Sequence, residues 1–249
     1  MLILALDTTT RAGSCALARD GRVVREQASD PGQPPAARLP ADLMALLDAA
    51  GVALDAIDLF AVATGPGSFT GLRIGIATMQ GLAFARSKPL IGISGLDALA
   101  AIATSAEIPS VRSGASALPP TTDHRPPTTD HRPPTIVTWV DAWRGEVYAA
   151  RYEAGREVEA PIVAPPAQLL ARITTPALFI GDGAAAYRDE IARALGDRGQ
   201  LAEPLTPLLA GAIARLADAA AAAGHLPAAD AIRPLYVRRP DAELARDRA

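Results

Sequence analysis

The sequence predicts a duplicated mixed α/β fold, and three observations predict it. An apolar run ending in aspartate occurs twice, at Leu2 to Asp7 and again at Ile136 to Asp141. Each run is followed by a hairpin, a helical stretch, and a short apolar strand that runs into glycines. A proline-rich insert separates the two copies. Three strands, helix, strand, helix, written twice, is the order of a hairpin edge feeding parallel crossovers.

The elements follow in order. After the first run, Ser14 to Arg19 reads as a strand, and Asp20-Gly21 is a two-residue hairpin signal before Arg22 to Glu26. Leu39, Leu43, Leu46 and Leu47 recur at i, i+4, i+7 and i+8, one face of a helix that Gly51 should stop. Leu59 to Thr64 is a short strand ahead of Gly65, and a helix is expected from about Thr70 to Arg86. In the second copy Glu146 to Tyr152, a turn at Ala154-Gly155, and Arg156 to Glu159 repeat the hairpin, and Ala177 to Ile180 leads into Gly181-Asp182-Gly183. This order resembles the actin-like ATPase fold, also called the sugar kinase and Hsp70 fold, in which two ribonuclease-H-like halves face a cleft. The division expected is 1–104 for the first half, 105–134 for the insert, and 135–249 for the second half with a C-terminal tail. The insert repeats Thr-Thr-Asp-His-Arg-Pro-Pro letter for letter at 121–127 and 128–134. Its prolines exclude helix and interior strand. A repeated Asp-His pair at His124 and His131 could meet a metal, but an inert polar loop is the simpler reading.

Composition narrows the functions. Of the 249 residues 49% are hydrophobic and 20% charged, so a sizeable core is available. The formal charge of −3 and only ten aromatic residues argue against a free-standing nucleic-acid binder. A single cysteine, Cys15, excludes an intrachain disulfide and a CxxC pair. No two of the three histidines lie three or four residues apart, which removes the HExxH type of zinc hydrolase, and there is no GxSxG elbow for a serine triad. The start of the chain lacks a basic n-region, and the apolar stretch Ile74 to Ala85 is too short to span a bilayer. A cytoplasmic protein with no membrane partner is expected.

Two segments could carry chemistry. Asp7, followed by Thr8, Thr9 and Thr10, stands at a strand end where a carboxylate and hydroxyls could meet a magnesium-bound phosphate; the same groups could equally bond their own turn. Asp141, the counterpart, is followed by Ala142-Trp143-Arg144-Gly145 without hydroxyls, so a two-loop phosphate clamp is half missing. The run Gly65-Pro66-Gly67-Ser68-Phe69-Thr70-Gly71 fails both the P-loop and GxGxxG patterns, yet suits a sharp turn into a helix capped by Ser68 or Thr70. An anion at that helix start is the functional alternative. The helix that follows is apolar nearly all round. Gly71 and Gly75 lie four apart, with Ile74, Thr78, Met79 and Leu82 around them, and a second apolar face needs a second cover. A protein partner is expected there.

The same residues carry a family resemblance. Ile3 to Thr10, the run from Gly65 through Arg73 to Ala77, Ile91-Gly92-Ile93-Ser94, Asp141 to Tyr148, and Pro234-Leu235-Tyr236-Val237-Arg238 closely resemble the bacterial TsaB (YeaZ) family. The tandem insert is extra to that pattern, Pro35 to Pro40 lacks a histidine common there, and Trp143 replaces a residue that is often basic. The resemblance implies an actin-like fold and a part in making N6-threonylcarbamoyladenosine at position 37 of tRNAs reading ANN codons. It implies a non-catalytic partner of the paralogue TsaD, joined by the ATPase TsaE, with tRNA reached through the complex, no cofactor, and pairing through the N-terminal helices. A homodimer in isolation is a further possibility. The runner-up is an actin-like ATPase or kinase using Asp7, Thr8, Thr9, Gly65, Gly67 and Ser68. Arg233, Arg238 and Arg239 could touch phosphate, but Asp241 and Glu243 beside them favour a solvated mixed-charge tail.

Overall fold

The structure is a computed structural model and describes residues 1–10, 13–30, 32–105 and 135–238. The tandem insert and the residues after Arg238 lie outside these. Two five-stranded sheets form. The first contains β1 (Leu2–Asp7), β2 (Ser14–Arg19), β3 (Arg22–Ala28), β4 (Leu59–Gly65) and β5 (Leu90–Ser94) in the order β3-β2-β1-β4-β5. β1 pairs antiparallel with β2 and parallel with β4, with Ile3 opposite both Ala18 and Leu59. The second sheet repeats this pattern with β6 (Thr135–Asp141), β7 (Val147–Glu153), β8 (Arg156–Ala164), β9 (Ala177–Ile180) and β10 (Gly199–Leu201), in the order β10-β9-β6-β7-β8. The central strand of each sheet is the apolar run that ends in aspartate. Every residue of β1 is buried, as expected of a strand covered on both faces. The chain has the α/β actin-like ATPase fold, with two ribonuclease-H-like halves.

Helices cover both sheets. α1 (Pro35–Ala50) and α2 (Phe69–Arg86) pack on one face of the first sheet around Leu4, Leu6, Phe60 and Val62. Pro40 inside α1 should cost about 3 kcal/mol, and burial of Leu39, Leu43, Leu46 and Leu47, at roughly 1.5–3 kcal/mol each, outweighs it. Gly51 ends α1 in the left-handed conformation, its N–H reaching the Asp48 and Leu47 carbonyls. α3 (Gly95–Ser105) and α7 (Ala210–Ala222) fill the layer between the two sheets, in one core that joins Ile3, Ala16 and Leu59 to Ile136, Tyr148 and Leu178. α4 (Pro166–Leu170), α5 (Asp182–Ala186) and α6 (Arg188–Leu195) lie with the second half, and Leu169, Leu170, Ala184 and Ile191 share a core with Trp139 and Phe179.

α7 follows the second sheet in sequence but is capped by the first half. The Ser14 hydroxyl accepts from the Leu209 and Ala210 N–H groups at 3.3 and 3.1 Å, and a Glu26 carboxylate oxygen accepts from Gly211 N–H at 2.7 Å. These side chains satisfy donors that a helix start leaves open. They also tie the two halves together.

Candidate functional site

The two segments singled out in the first half meet at the carboxyl ends of β1 and β4. Asp7 is buried, and its carboxylate is occupied by its own turn. One oxygen accepts from the Thr9 N–H at 2.8 Å and the Thr9 hydroxyl at 2.6 Å; the other accepts from the Thr10 hydroxyl at 2.9 Å. The loop after β4 lies directly on that turn. Ser68 N–H donates to the Thr9 carbonyl at 3.0 Å, and the Thr8 hydroxyl donates to the Gly71 carbonyl at 2.8 Å. The Ser68 hydroxyl caps α2 by accepting from Gly71 N–H at 3.2 Å, as expected of an N-cap serine.

The glycines of this run make the contact possible. A methyl on Gly67 would stand 2.5 Å from the Thr9 carbonyl oxygen, one on Gly71 would stand 2.2 Å from the Thr8 carbonyl oxygen, and one on Gly75 would stand 2.2 Å from the Thr8 hydroxyl. All three distances are far inside van der Waals contact. The motif is a seat for the Thr8-Thr9 backbone, and the start of α2 is covered by that backbone. The second half builds the same seat: methyls on Gly181 and Gly183 would meet the Trp139 carbonyl oxygen at 2.1 Å and the Val140 carbonyl carbon at 3.0 Å.

Asp182, in the second half, lies within electrostatic reach of Asp7 and of its own neighbour Asp141. Asp182 accepts from the Asp141 N–H at 2.9 Å, and Asp141 in turn accepts from the Trp143 N–H at 2.9 Å. Burial pushes both Asp7 and Asp182 above the usual carboxylate range; hydrogen bonds from Thr9 and Thr10 oppose this at Asp7, and the charges of Asp141 and Asp7 add to it at Asp182. Among the described residues no group of three or more His, Cys, Asp or Glu side chains is placed to hold a metal ion. Asp182 was missed in the sequence. The signal that could have found it is its place between Gly181 and Gly183, equivalent to the glycine run after β4.

Residues 232–238 run across the mouth of this cleft. Ile232 is buried against the first-half core, Leu235 N–H donates to the Thr64 carbonyl at 2.7 Å, and Tyr236 lies 5.5 Å from the Phe69 ring centroid. Arg238 then reaches the second half, donating to the Ala142 carbonyl at 2.9 Å and pairing with Glu146. The solvated tail expected here is corrected as far as Arg238. The carbonyls at the end of β4 and in the β6–β7 turn, together with one acidic partner and the apolar contact of Ile232, give this stretch a place to bind. Arg239, Asp241 and Glu243 lie outside the described residues.

The residues of α2 named for a partner divide between two sides. Gly71, Gly75 and Met79 are buried against the chain itself, while Ile74, Thr78 and Leu82 are half-buried on the flanks. The outward strip consists of Thr70, Arg73, Ala77, Gly81, Phe84 and Ala85, with Phe84 86% exposed and open space beyond Gly81. Asp7, Thr8, Thr9, Gly65, Gly67 and Ser68, named for a phosphate loop, are brought together at the seat described above.

A family model described as TsaD: tRNA N6-adenosine threonylcarbamoyltransferase matches residues 36–118. The Escherichia coli (strain K12) tRNA threonylcarbamoyladenosine biosynthesis protein TsaB is 35% identical over 153 residues, which is 61% of this chain and 55% of that protein. An uncharacterized protein of Mycobacterium leprae is 30% identical over 97% of this chain and 56% of its own length. The chain thus spans about half the length of these curated relatives. Among solved structures, YeaZ from Pseudomonas aeruginosa superposes with a TM-score of 0.68 at 30% identity, covering 94% of this chain and 99% of that one.

Proposed function

The chain belongs to the TsaB/YeaZ family, and on that premise we propose that it is a non-catalytic scaffold subunit of the complex that forms N6-threonylcarbamoyladenosine at position 37 of tRNAs reading ANN codons. Its partner in this reading is TsaD, with the ATPase TsaE joining the pair and tRNA bound by the assembly in the cytoplasm. Among the described residues no helix is long and apolar enough to cross a membrane. The division at 1–104, 105–134 and 135–249 belongs to the same proposal, with α7 and residues 232–238 reaching back onto the first half.

One observation carries the non-catalytic part. The place where an actin-like ATPase would cradle phosphate is filled by the chain's own atoms: both Asp7 oxygens accept from Thr9 and Thr10, and Thr8-Thr9 covers the start of α2. The outward strip of α2 supports the scaffold part, since Ala77 and Gly81 would let another backbone approach closely while Phe84 offers an aromatic anchor. A homodimer in isolation would use the same strip.

Co-purification with TsaD tests the proposal. Ala77→Arg places a long charged side chain on the strip without touching the core, and should abolish co-elution on gel filtration while leaving the circular dichroism spectrum unchanged. An undiminished complex would place the interface elsewhere. Calorimetry with Mg-ATP tests the competing ATPase or kinase reading. Micromolar binding lost in Asp7→Ala would replace the scaffold reading with that one.

A further inference from the structure

Four aromatic side chains are exposed: Phe69, Phe84, Trp143 and Tyr236. Two of them, Phe69 and Tyr236, meet at one mouth of the cleft, their ring centroids 5.5 Å apart. The Arg73 guanidinium carbon stands 3.8 Å over the Phe69 ring, and the Arg73 Nε donates to the Tyr236 hydroxyl at 3.0 Å. Two residues beyond Tyr236, Arg238 holds the carbonyl of Ala142, whose neighbour is Trp143, 53% exposed on the turn after β6. No carboxylate among the described residues pairs with Arg73. Arg233, three residues before Tyr236, donates only to the backbone carbonyls of Asp230 and Ile232. Guanidinium charge without acidic partners and half-open ring faces therefore occur together.

We propose that Phe69, Arg73, Tyr236 and Trp143 form a platform for an unpaired loop of the tRNA, the rings and the Arg73 plane stacking on bases and the guanidinium meeting phosphate. Sequence-tolerant recognition of single-stranded nucleic acid combines these two elements, and duplex RNA hides the base faces that the rings would need. The overall charge of −3 limits the role to a few contacts beside a partner that supplies most of the phosphate neutralisation. The inference rests on the tRNA-modification reading above.

The test uses the assembled pair of this chain with TsaD and an unmodified tRNA transcript, with affinity measured by fluorescence anisotropy at several salt concentrations. Arg73→Gln should weaken binding about tenfold and lower the slope of log affinity against log salt by about one. Trp143→Leu should weaken it by about fivefold or more with the slope unchanged, because stacking releases no counterions. Gel filtration should show both variants pairing with TsaD normally. Unchanged tRNA affinity in both intact pairs overturns the platform. Loss of pairing in either variant also overturns it and makes the cluster a protein contact. If the wild-type chain fails to pair with TsaD, the functional reading fails, and the platform with it.

Discussion

Alanine at Gly71 perturbs the seat between β1 and α2 while leaving the helix its intrinsic preference. The new methyl would stand 2.2 Å from the Thr8 carbonyl oxygen, so one backbone must retreat by about an ångström from a strand end that is buried and hydrogen-bonded. Overpacking of this kind costs about 1–3 kcal/mol, and removing a glycine from a helix interior returns roughly 0.5–1 kcal/mol. Gly71→Ala should therefore destabilise the protein by about 1–2 kcal/mol. Gly81→Ala is the internal control, because it lies in the same helix with nothing within 4 Å of the added methyl and should stabilise by about 0.5–1 kcal/mol. Urea unfolding followed by circular dichroism measures both. Equal stability of the two variants, or a more stable Gly71→Ala, would refute the seat. Gly75→Ala adds a test of mechanism, since its methyl meets the Thr8 hydroxyl rather than backbone. Combining it with Thr8→Ala removes the obstruction, so the double variant should lose less than the sum of the singles.

Four further outcomes follow from the same geometry. The carboxyl of Asp7 is raised by burial, so the folded protein binds its proton more tightly than the unfolded chain; that stabilisation is complete below the unfolded value and fades as pH rises through the folded one. Wild type should thus lose stability relative to Asp7→Asn as pH rises above about 4, and a relative gain in urea titrations would reverse the assignment. Cys15 is fully buried and its thiol is pushed up to about 12, so a thiol reagent at pH 8 should label none of it in the native protein and all of it in urea. Ser14→Ala removes the acceptor for two helix-start N–H groups and should cost about 1–2 kcal/mol in urea unfolding. Arg238→Ala should cost about 1–2 kcal/mol and accelerate exchange of the Leu235 amide, which the segment holds against Thr64.

The hairpins and their duplication were legible because antiparallel hairpin pairing needs only local information: an apolar run, a turn residue, and a second run. Gly51 as a helix stop and Ser68 as an N-cap were legible for the same reason. The inner and outer sides of α2 were not. Leu72, Ile76 and Met79 face the core, Ala77, Gly81 and Phe84 face outward, and both sets are apolar, so periodicity carries no sign. Only the approach of Thr8, some sixty residues earlier in the chain, identifies the inner glycines. α7 presents the same difficulty at longer range, since its caps, Ser14 and Glu26, lie 185 or more residues away in sequence.

The seat also gives the glycine run after β4 a packing role. Glycines that let a ligand oxygen approach a helix start also let a peptide carbonyl approach it, and here the carbonyls of Thr8 and Thr9 arrive first. A nucleotide entering between the two loops would have to break at least the Thr8 hydroxyl bond to Gly71 and the Ser68 N–H bond to Thr9. At about 1 kcal/mol net each, that separation would weaken any nucleotide affinity on the order of 30-fold relative to an open loop. The duplicated seat at Gly181 and Gly183 brings the Trp139 carbonyl as close on the opposite wall. Backbone seated against both glycine runs makes the two loops part of the packing at the strand ends, and the exposed strip of α2 lies on the other side of that helix.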